Sequence, residues 1–158
     1  MEYKVIIEGV PNSDKLMQHF ALDNKILDTF LYLRRNPRDR FAARTLIELC
    51  NEDIKLAPYI DKDRPFPAFH YLAEYYLIYA KEQDPIKAIE LCLKGARYKF
   101  EDIRYIYELI PKILNYIDKE YHVKLNYIVK RNKLYDEDTG EILTNIEHYI
   151  KEKYNETR

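Results

Sequence analysis

Apolar residues recur at helical spacing through most of the chain, and this pattern predicts a helical array over residues 13–119. The first stretch runs from an N-cap at Ser13 to about Arg35, with a break near Asp23 that would divide it into two helices. Its apolar positions are Leu16, Met17, Phe20, Ile26, Leu27, Phe30, Leu31 and Leu33. The spacing is typical of helices that pack one face on a common core.

Prolines mark the boundaries of the later helices. The Asn36–Pro37 pair predicts a helix start, with Asn as N-cap and Pro at the first helical position. The Asp84–Pro85 pair predicts a second start of the same kind. Residues 101–119 form another amphipathic pattern, which Pro111 must kink or divide.

The most informative helix covers residues 66–80 and is expected to end near Glu82. It is apolar or phenolic on nearly every face, so we expect it at the centre of a helical domain. The stretch is too short and too phenolic for a membrane span. Its tyrosines are expected to pack with their hydroxyls at the rim of the core, and Tyr71 and Tyr75 are predicted to contact a partner.

The two ends of the chain have a different pattern. Residues 1–10 predict a β strand and turn, and residues 120–143 a β-hairpin region with its turn at Asp138–Gly140. A last helix is predicted over residues 144–154. The predicted fold is a single, mainly α domain over residues 1–158. Its antiparallel helical hairpins form a repeat-like array, and the N-terminal strand plus the C-terminal hairpin form a small terminal β element.

Composition narrows the class of protein without naming an activity. The chain of 158 residues suits one domain, and its formal net charge of −1 favours neither nucleic acid nor a membrane surface. Cys50 and Cys92 each follow Ile-Glu-Leu at core-like positions, which indicates buried free thiols, with a disulfide as the alternative. We expect a cytoplasmic protein. Abundant Ile, Lys, Asn and Tyr are typical of a low-G+C bacterium or its phage.

Residues 72–95 resemble a tetratricopeptide repeat. Leu72 and Tyr79 stand where its first helix carries large residues, and Ala88 stands at the small position of its second helix. The resemblance implies stacked antiparallel helices whose concave face binds a peptide or protein. An unrelated helical hairpin is the alternative, because any packed helix pair needs small residues at its crossing. The departures from the pattern are Tyr76 for a small residue, Gly95 for alanine and Phe100 for the closing proline.

Five arginines lie close together where the first helical stretch gives way to the second. They are Arg34, Arg35, Arg38, Arg40 and Arg44. The planar guanidinium suits carboxylates and phosphates, so this patch is the best candidate for an anionic partner, either an acidic protein surface or nucleic acid. The alternative is a structural role, through the helix dipole at Arg34 and Arg35 and through local pairing with Asp39 and Glu48.

His70 and Glu74 are spaced i,i+4 and share a helix face, as two metal ligands or an acid–base pair would. Lys81 extends the same strip, so we interpret these residues as a narrow solvent-facing seam. No local spacing supplies further ligands, and the sequence therefore predicts no metal site and no cofactor. His122 and His148 are too remote in sequence to assign.

These observations predict a non-enzymatic protein–protein interaction module that uses the arginine patch and the tyrosine-rich helix. A small phage or mobile-element effector that binds a host protein is the more specific hypothesis. One alternative is a nucleic-acid-binding or regulatory protein that uses the Arg34–Arg44 patch. Another is a small metal-dependent enzyme at His70 and Glu74. No catalytic residue and no membrane contact are predicted.

Overall fold

The computed structural model describes residues 12–95, 98, 109–121, 127–130 and 133–136, and this part of the chain is mainly helical. Its five α-helices are α1 (Ser13–Arg35), α2 (Arg40–Ile54), α3 (Ala68–Glu74), α4 (Pro85–Gly95) and α5 (Ile110–Tyr121). A 3₁₀ turn spans Ala57–Tyr59, and a π-helical turn, Tyr75–Tyr79, continues α3.

Two short strands, β1 (Tyr127–Lys130) and β2 (Lys133–Asp136), pair antiparallel, with Tyr127 opposite Asp136. Within the described residues, β2 therefore pairs with β1, the strand that precedes it in the sequence. The predicted turn at Asp138–Gly140, the N-terminal strand and the helix over residues 144–154 lie outside the described residues.

The first helix is continuous, so the predicted break near Asp23 is wrong. Leu22 and Ile26 flank this position and are both buried. Their packing keeps the helix continuous through Asp23 and Asn24, which have a lower helix propensity. The helix also begins differently from the prediction. Asn12 is the N-cap, with the positive φ of 54° that Asn tolerates, and Ser13 is the first helical residue.

The predicted start of α2 at Asn36 is also wrong. The backbone N–H of Asn36 donates to the carbonyls of Tyr32 and Leu33, so that Asn36 closes α1. The N-cap of α2 is Asp39, whose carboxylate accepts a hydrogen bond of 3.0 Å from the backbone N–H of Ala42. Residues 36–39 thus form the connection between the helices.

The tyrosine-rich helix ends earlier than predicted. After Glu74 it widens into the π-helical turn, in which the N–H of Ala80 donates to the carbonyl of Tyr75, five residues back. The predicted restart is confirmed: α4 begins at Pro85, and the Asp84 side chain accepts from the backbone N–H of Lys87 at 3.0 Å.

Pro111 is the second residue of α5, and Leu109, directly before this helix, is in a π-helical conformation. The earlier part of the predicted helix, residues 101–108, lies outside the described residues.

Each described helix packs against the next one along the chain, and α1 also contacts α3. Phe66 is at the centre of the core, fully buried, with its ring against those of His19, Phe69 and Tyr98. None of the described helices has the length and apolar character that crossing a lipid bilayer requires.

Candidate functional site

His19 lies between two aspartates in the interface of α1 and α2. Its Nδ1 is 2.7 Å from Oδ1 of Asp53, near the end of α2, and its Nε2 is 3.4 Å from Oδ2 of Asp23, one turn further along α1. The side chains of His19 and Asp53 are 1% and 0% exposed, whereas that of Asp23 is 25% exposed. The cluster is therefore shielded from water at Asp53 and reaches the surface at Asp23.

The neighbouring carboxylates shift the pKa of His19. Burial by itself lowers the pKa of His19, but the hydrogen bond to Asp53 and the negative charges of Asp53 and Asp23 outweigh it, and the backbone of Pro65 acts in the same direction. The net effect raises the pKa of His19 above its ordinary value of 6.5. The protonated imidazole donates from both ring nitrogens, which suits an acceptor on each side.

The carboxylate of Asp53 is only partly satisfied by this arrangement. Oδ2 of Asp53 is buried and has no hydrogen-bond partner among the described residues. A carboxylate oxygen with no partner in the protein interior carries a large desolvation cost, which a cation beside it would offset.

Sequence analysis did not predict this cluster. His19 and Asp23 have the same i,i+4 spacing as His70 and Glu74. This spacing could have identified two of the three residues of the cluster. The third member, Asp53, lies 34 residues from His19 and is brought to it only by the packing of α2 on α1. Phe66, in the segment just before α3, stacks on the His19 ring with centroids 4.5 Å apart. Its ring therefore covers the site from the side of a third segment of the chain.

The five predicted arginines are all exposed, and three of them contact neighbouring parts of the chain. Arg34 lies over the ring of Phe30 and has its Nη2 3.7 Å from Oε2 of Glu74. Arg35 reaches the carbonyl of Leu31, and Arg40 donates to the carbonyls of Pro37 and Arg38, the former at 2.8 Å. The contacts of Arg40 lie in the α1–α2 connection, whereas that of Arg34 with Glu74 reaches α3.

The remaining two arginines are more available. The side chains of Arg38 and Arg44 form no ion pair or hydrogen bond within the described part of the chain. Of the two predicted partner-binding tyrosines, Tyr71 is half-buried with its ring 4.5 Å from that of Phe30, and Tyr75 is buried, with 7% exposure. The arginines thus present more surface to a partner than the tyrosines do.

His70 and Glu74 contact each other through Nε2 and Oε1, and Arg34 pairs with the other oxygen of Glu74. The prediction of a solvent-facing seam is wrong for His70, which is buried beside the ring of Tyr71. Within the described residues, no third His, Cys or acidic side chain joins this pair in a group able to hold a metal. The three side chains link the end of α1 to α3.

A second apolar surface lies on the outer side of α1. Four large apolar residues there have exposures between 37% and 40%: Met17, Phe20, Leu27 and Leu31. At 3.6 residues per turn they fall within an arc of about 80°, centred about 140° from the buried face. We call these four residues the outer stripe. Apolar residues on two faces explain why α1 is only weakly amphipathic.

An open pocket of about 370 Å3 lies between the C-terminal half of α1 and the start of α2. The most exposed large apolar side chain of the described residues, that of Phe41 at 78%, forms part of its wall. The hydroxyl of Tyr32 donates to Oδ2 of Asp39 at 3.0 Å within this wall. The lining residues are Asp28, Thr29, Tyr32, Asp39, Phe41, Ala42 and Thr45.

No protein-family model, no curated protein and no solved structure matches the chain. The tetratricopeptide resemblance of residues 72–95 therefore stays a prediction, and the arguments about function start from the surfaces described above.

Proposed function

We propose that the protein is a non-enzymatic protein-interaction module that binds its partner through the outer stripe of α1. The observation that carries this proposal is the outer stripe itself, four large apolar side chains on the face of α1 that points away from the core. Single exposed apolar residues are common on protein surfaces, but a row of them along one helix is typical of a docking face.

Amphipathic helices that bind a partner carry their apolar anchors at the spacing found here. Met17, Phe20, Leu27 and Leu31 follow one another by three, seven and four residues, which keeps them on one side of the helix. Burying them against a partner would contribute about 25 cal/mol for each Å2 of apolar surface removed from water, before the entropic cost of association. Tyr32 and Phe41 extend the apolar surface toward the start of α2.

The charges at the C-terminal end of the stripe indicate the chemistry of the partner. Arg38 follows the end of α1 and Arg44 lies in the second turn of α2, and both are exposed without a pairing acid among the described residues. Arg35 lies on the stripe side of α1. A partner helix with apolar residues along one face and Asp or Glu residues at one end complements this surface. We therefore propose that an acidic, amphipathic helix of another protein binds the outer stripe.

We propose the same architecture for the chain that its sequence predicts. The helices form antiparallel hairpins like those of a tetratricopeptide array, with a small terminal β element. The packing of each described helix on its neighbour in sequence supports such an array.

The test compares partner capture by three forms of the full chain. The stripe variant carries Leu27→Glu and Leu31→Glu, the arginine variant carries Arg38→Glu and Arg44→Glu, and the control carries Gln18→Glu, on an exposed site of α1 outside the stripe. Proteins that the wild type retains through nuclease treatment are identified, and binding of the purified candidate is then measured with each form. We expect affinity to fall at least about tenfold in the stripe variant, by less in the arginine variant, and not in the control.

Three results would overturn the proposal. A purified partner that binds the stripe variant as tightly as the wild type would place the docking surface elsewhere. Capture of nucleic acid that is lost with salt and with the arginine variant would instead support the phosphate-binding alternative. Self-association of the purified chain that disappears in the stripe variant would show that the stripe is covered by a second copy.

A further inference from the structure

We propose that His19, Asp23 and Asp53 bind a single divalent metal ion of the Zn²⁺ or Mn²⁺ class. Each of the three side chains offers one ligand atom, and these atoms all lie within 4.8 Å of one another. Ligands that share one such ion at bond lengths of about 2.0–2.2 Å stand roughly 3–4.5 Å apart. Asp53 and Asp23 face different ring nitrogens of His19, so the imidazole must rotate to place one nitrogen and both carboxylates on the same ion.

The donor set defines the class of metal. One imidazole nitrogen with two carboxylates suits Zn²⁺ and Mn²⁺, whereas the all-oxygen shells that Ca²⁺ and Mg²⁺ prefer would leave the histidine unused. Three protein ligands also leave coordination positions for water at the Asp23 side, where the cluster reaches the surface. That opening provides the path by which the ion enters.

A divalent ion would balance the charge of the two carboxylates in a site where His19 and Asp53 are almost completely shielded from water. Two carboxylates, a neutral imidazole and a divalent cation sum to zero, which removes the uncompensated charge from the interior.

The buried oxygen of Asp53 is the independent observation that points to a cation. The carboxylate of Asp53 is directed into the cluster, because its Oδ1 lies 2.7 Å from His19 Nδ1. Its Oδ2 is buried with no partner among the described residues. Buried carboxylate oxygens are normally hydrogen-bonded or metal-bound. The environment of Asp53 Oδ2 is therefore that of an oxygen that coordinates a metal ion. The site lies on the inner face of α1 and does not depend on the outer stripe.

The test is a titration of the full chain, freed of metal with EDTA and dialysed, with ZnCl₂ and separately with MnCl₂ by isothermal calorimetry. We expect one equivalent of ion to bind with micromolar or tighter affinity and to raise the unfolding temperature, since the ion joins α1 to α2. The Asp23→Asn variant should bind at least about tenfold more weakly, and this partly exposed position leaves the fold intact by circular dichroism.

Two controls separate this site from other ligands in the chain. Asp28→Asn makes the same change at an exposed position of α1, and His70→Gln removes the other described helix histidine with an i,i+4 acidic neighbour. Both should bind the ion like the wild type. Absence of stoichiometric binding for both ions would overturn the proposal. Equal affinity in Asp23→Asn, or loss of binding in His70→Gln, would overturn it as well.

Discussion

His19 and Asp53 join the first two long helices through a hydrogen bond of 2.7 Å between side chains that are both shielded from water. The two residues lie 34 positions apart, so the bond fixes α2 on α1 and is not part of either helix. Buried charge of this kind is costly unless it is paired, so the removal of one partner leaves an uncompensated charge in the interior. The bond therefore lies on the inner face of α1, whereas the outer face carries the exposed outer stripe.

Removing one member of this pair should be severely destabilising. We expect Asp53→Ala to lower the free energy of unfolding by about 3–5 kcal/mol, because it leaves His19 buried without its closest acceptor. The measurement is urea denaturation followed by circular dichroism, with EDTA present so that metal binding does not contribute.

A double variant tests whether pairing is the cause. His19→Leu combined with Asp53→Leu should cost clearly less than the sum of the two single Leu variants, because no unpaired charge remains. Additive losses would show that the two side chains contribute independently.

Two phenylalanines should differ widely in how much stability their truncation costs. Phe66 is 0% exposed and packs against three rings, so Phe66→Ala should cost about 3–5 kcal/mol through lost burial and the cavity left behind. Phe41 is 78% exposed, and Phe41→Ala should change stability by no more than about 0.5 kcal/mol. Denaturation midpoints measure both. A large loss from Phe41→Ala would mean that Phe41 packs in the solution fold.

The N-cap of α2 should give the protein an acid-sensitive contribution. Hydrogen bonds from the backbone N–H of Ala42 and from the hydroxyl of Tyr32 are the largest causes that hold the pKa of Asp39 below its ordinary value of 3.8. A carboxyl with a lower pKa in the folded state contributes stability above the unfolded pKa and loses it as the pH falls through the folded pKa. We expect that loss below about pH 4.

The control for this prediction is Asp39→Asn, which keeps a capping oxygen and removes the titration. Stability measured from pH 7 to pH 2 should show a smaller acid loss in Asp39→Asn than in the wild type. Asp39→Ala should be less stable than Asp39→Asn at neutral pH. Equal acid profiles for the wild type and Asp39→Asn would contradict the assignment.

The helices were largely predictable because burial gives them a periodic pattern. Leu22, Ile26, Phe30 and Leu33 follow the inner face of α1, and the Asp84–Pro85 start depends on local capping chemistry alone. The predicted helix boundaries were wrong where two nearby residues could each serve as a cap. Asn36 is a good N-cap by type, yet its backbone closes α1, and Asp39 caps α2 instead.

The candidate sites were less predictable because tertiary packing creates them. His19 and Asp23 share a face by spacing, but only the packing of α2 brings Asp53 to them. The outer stripe was hidden for a similar reason. The apolar pattern of the predicted helix includes Met17, Phe20, Leu27 and Leu31 together with the buried positions. Only the placement of α2 and α3 shows which side of α1 is covered.

Both cysteines should resist modification in the folded protein. Cys50 and Cys92 are buried free thiols, as predicted, and burial above all raises the pKa of each, with a further rise from nearby carboxylates. Because the thiolate is the reactive form, we expect iodoacetamide at pH 8 to label neither residue within the time that fully labels a small thiol. Denaturant should make both react. Peptide mass spectrometry measures the labelling of each residue, and rapid reaction of Cys50 in the native protein would show that the α1–α2 interface opens readily.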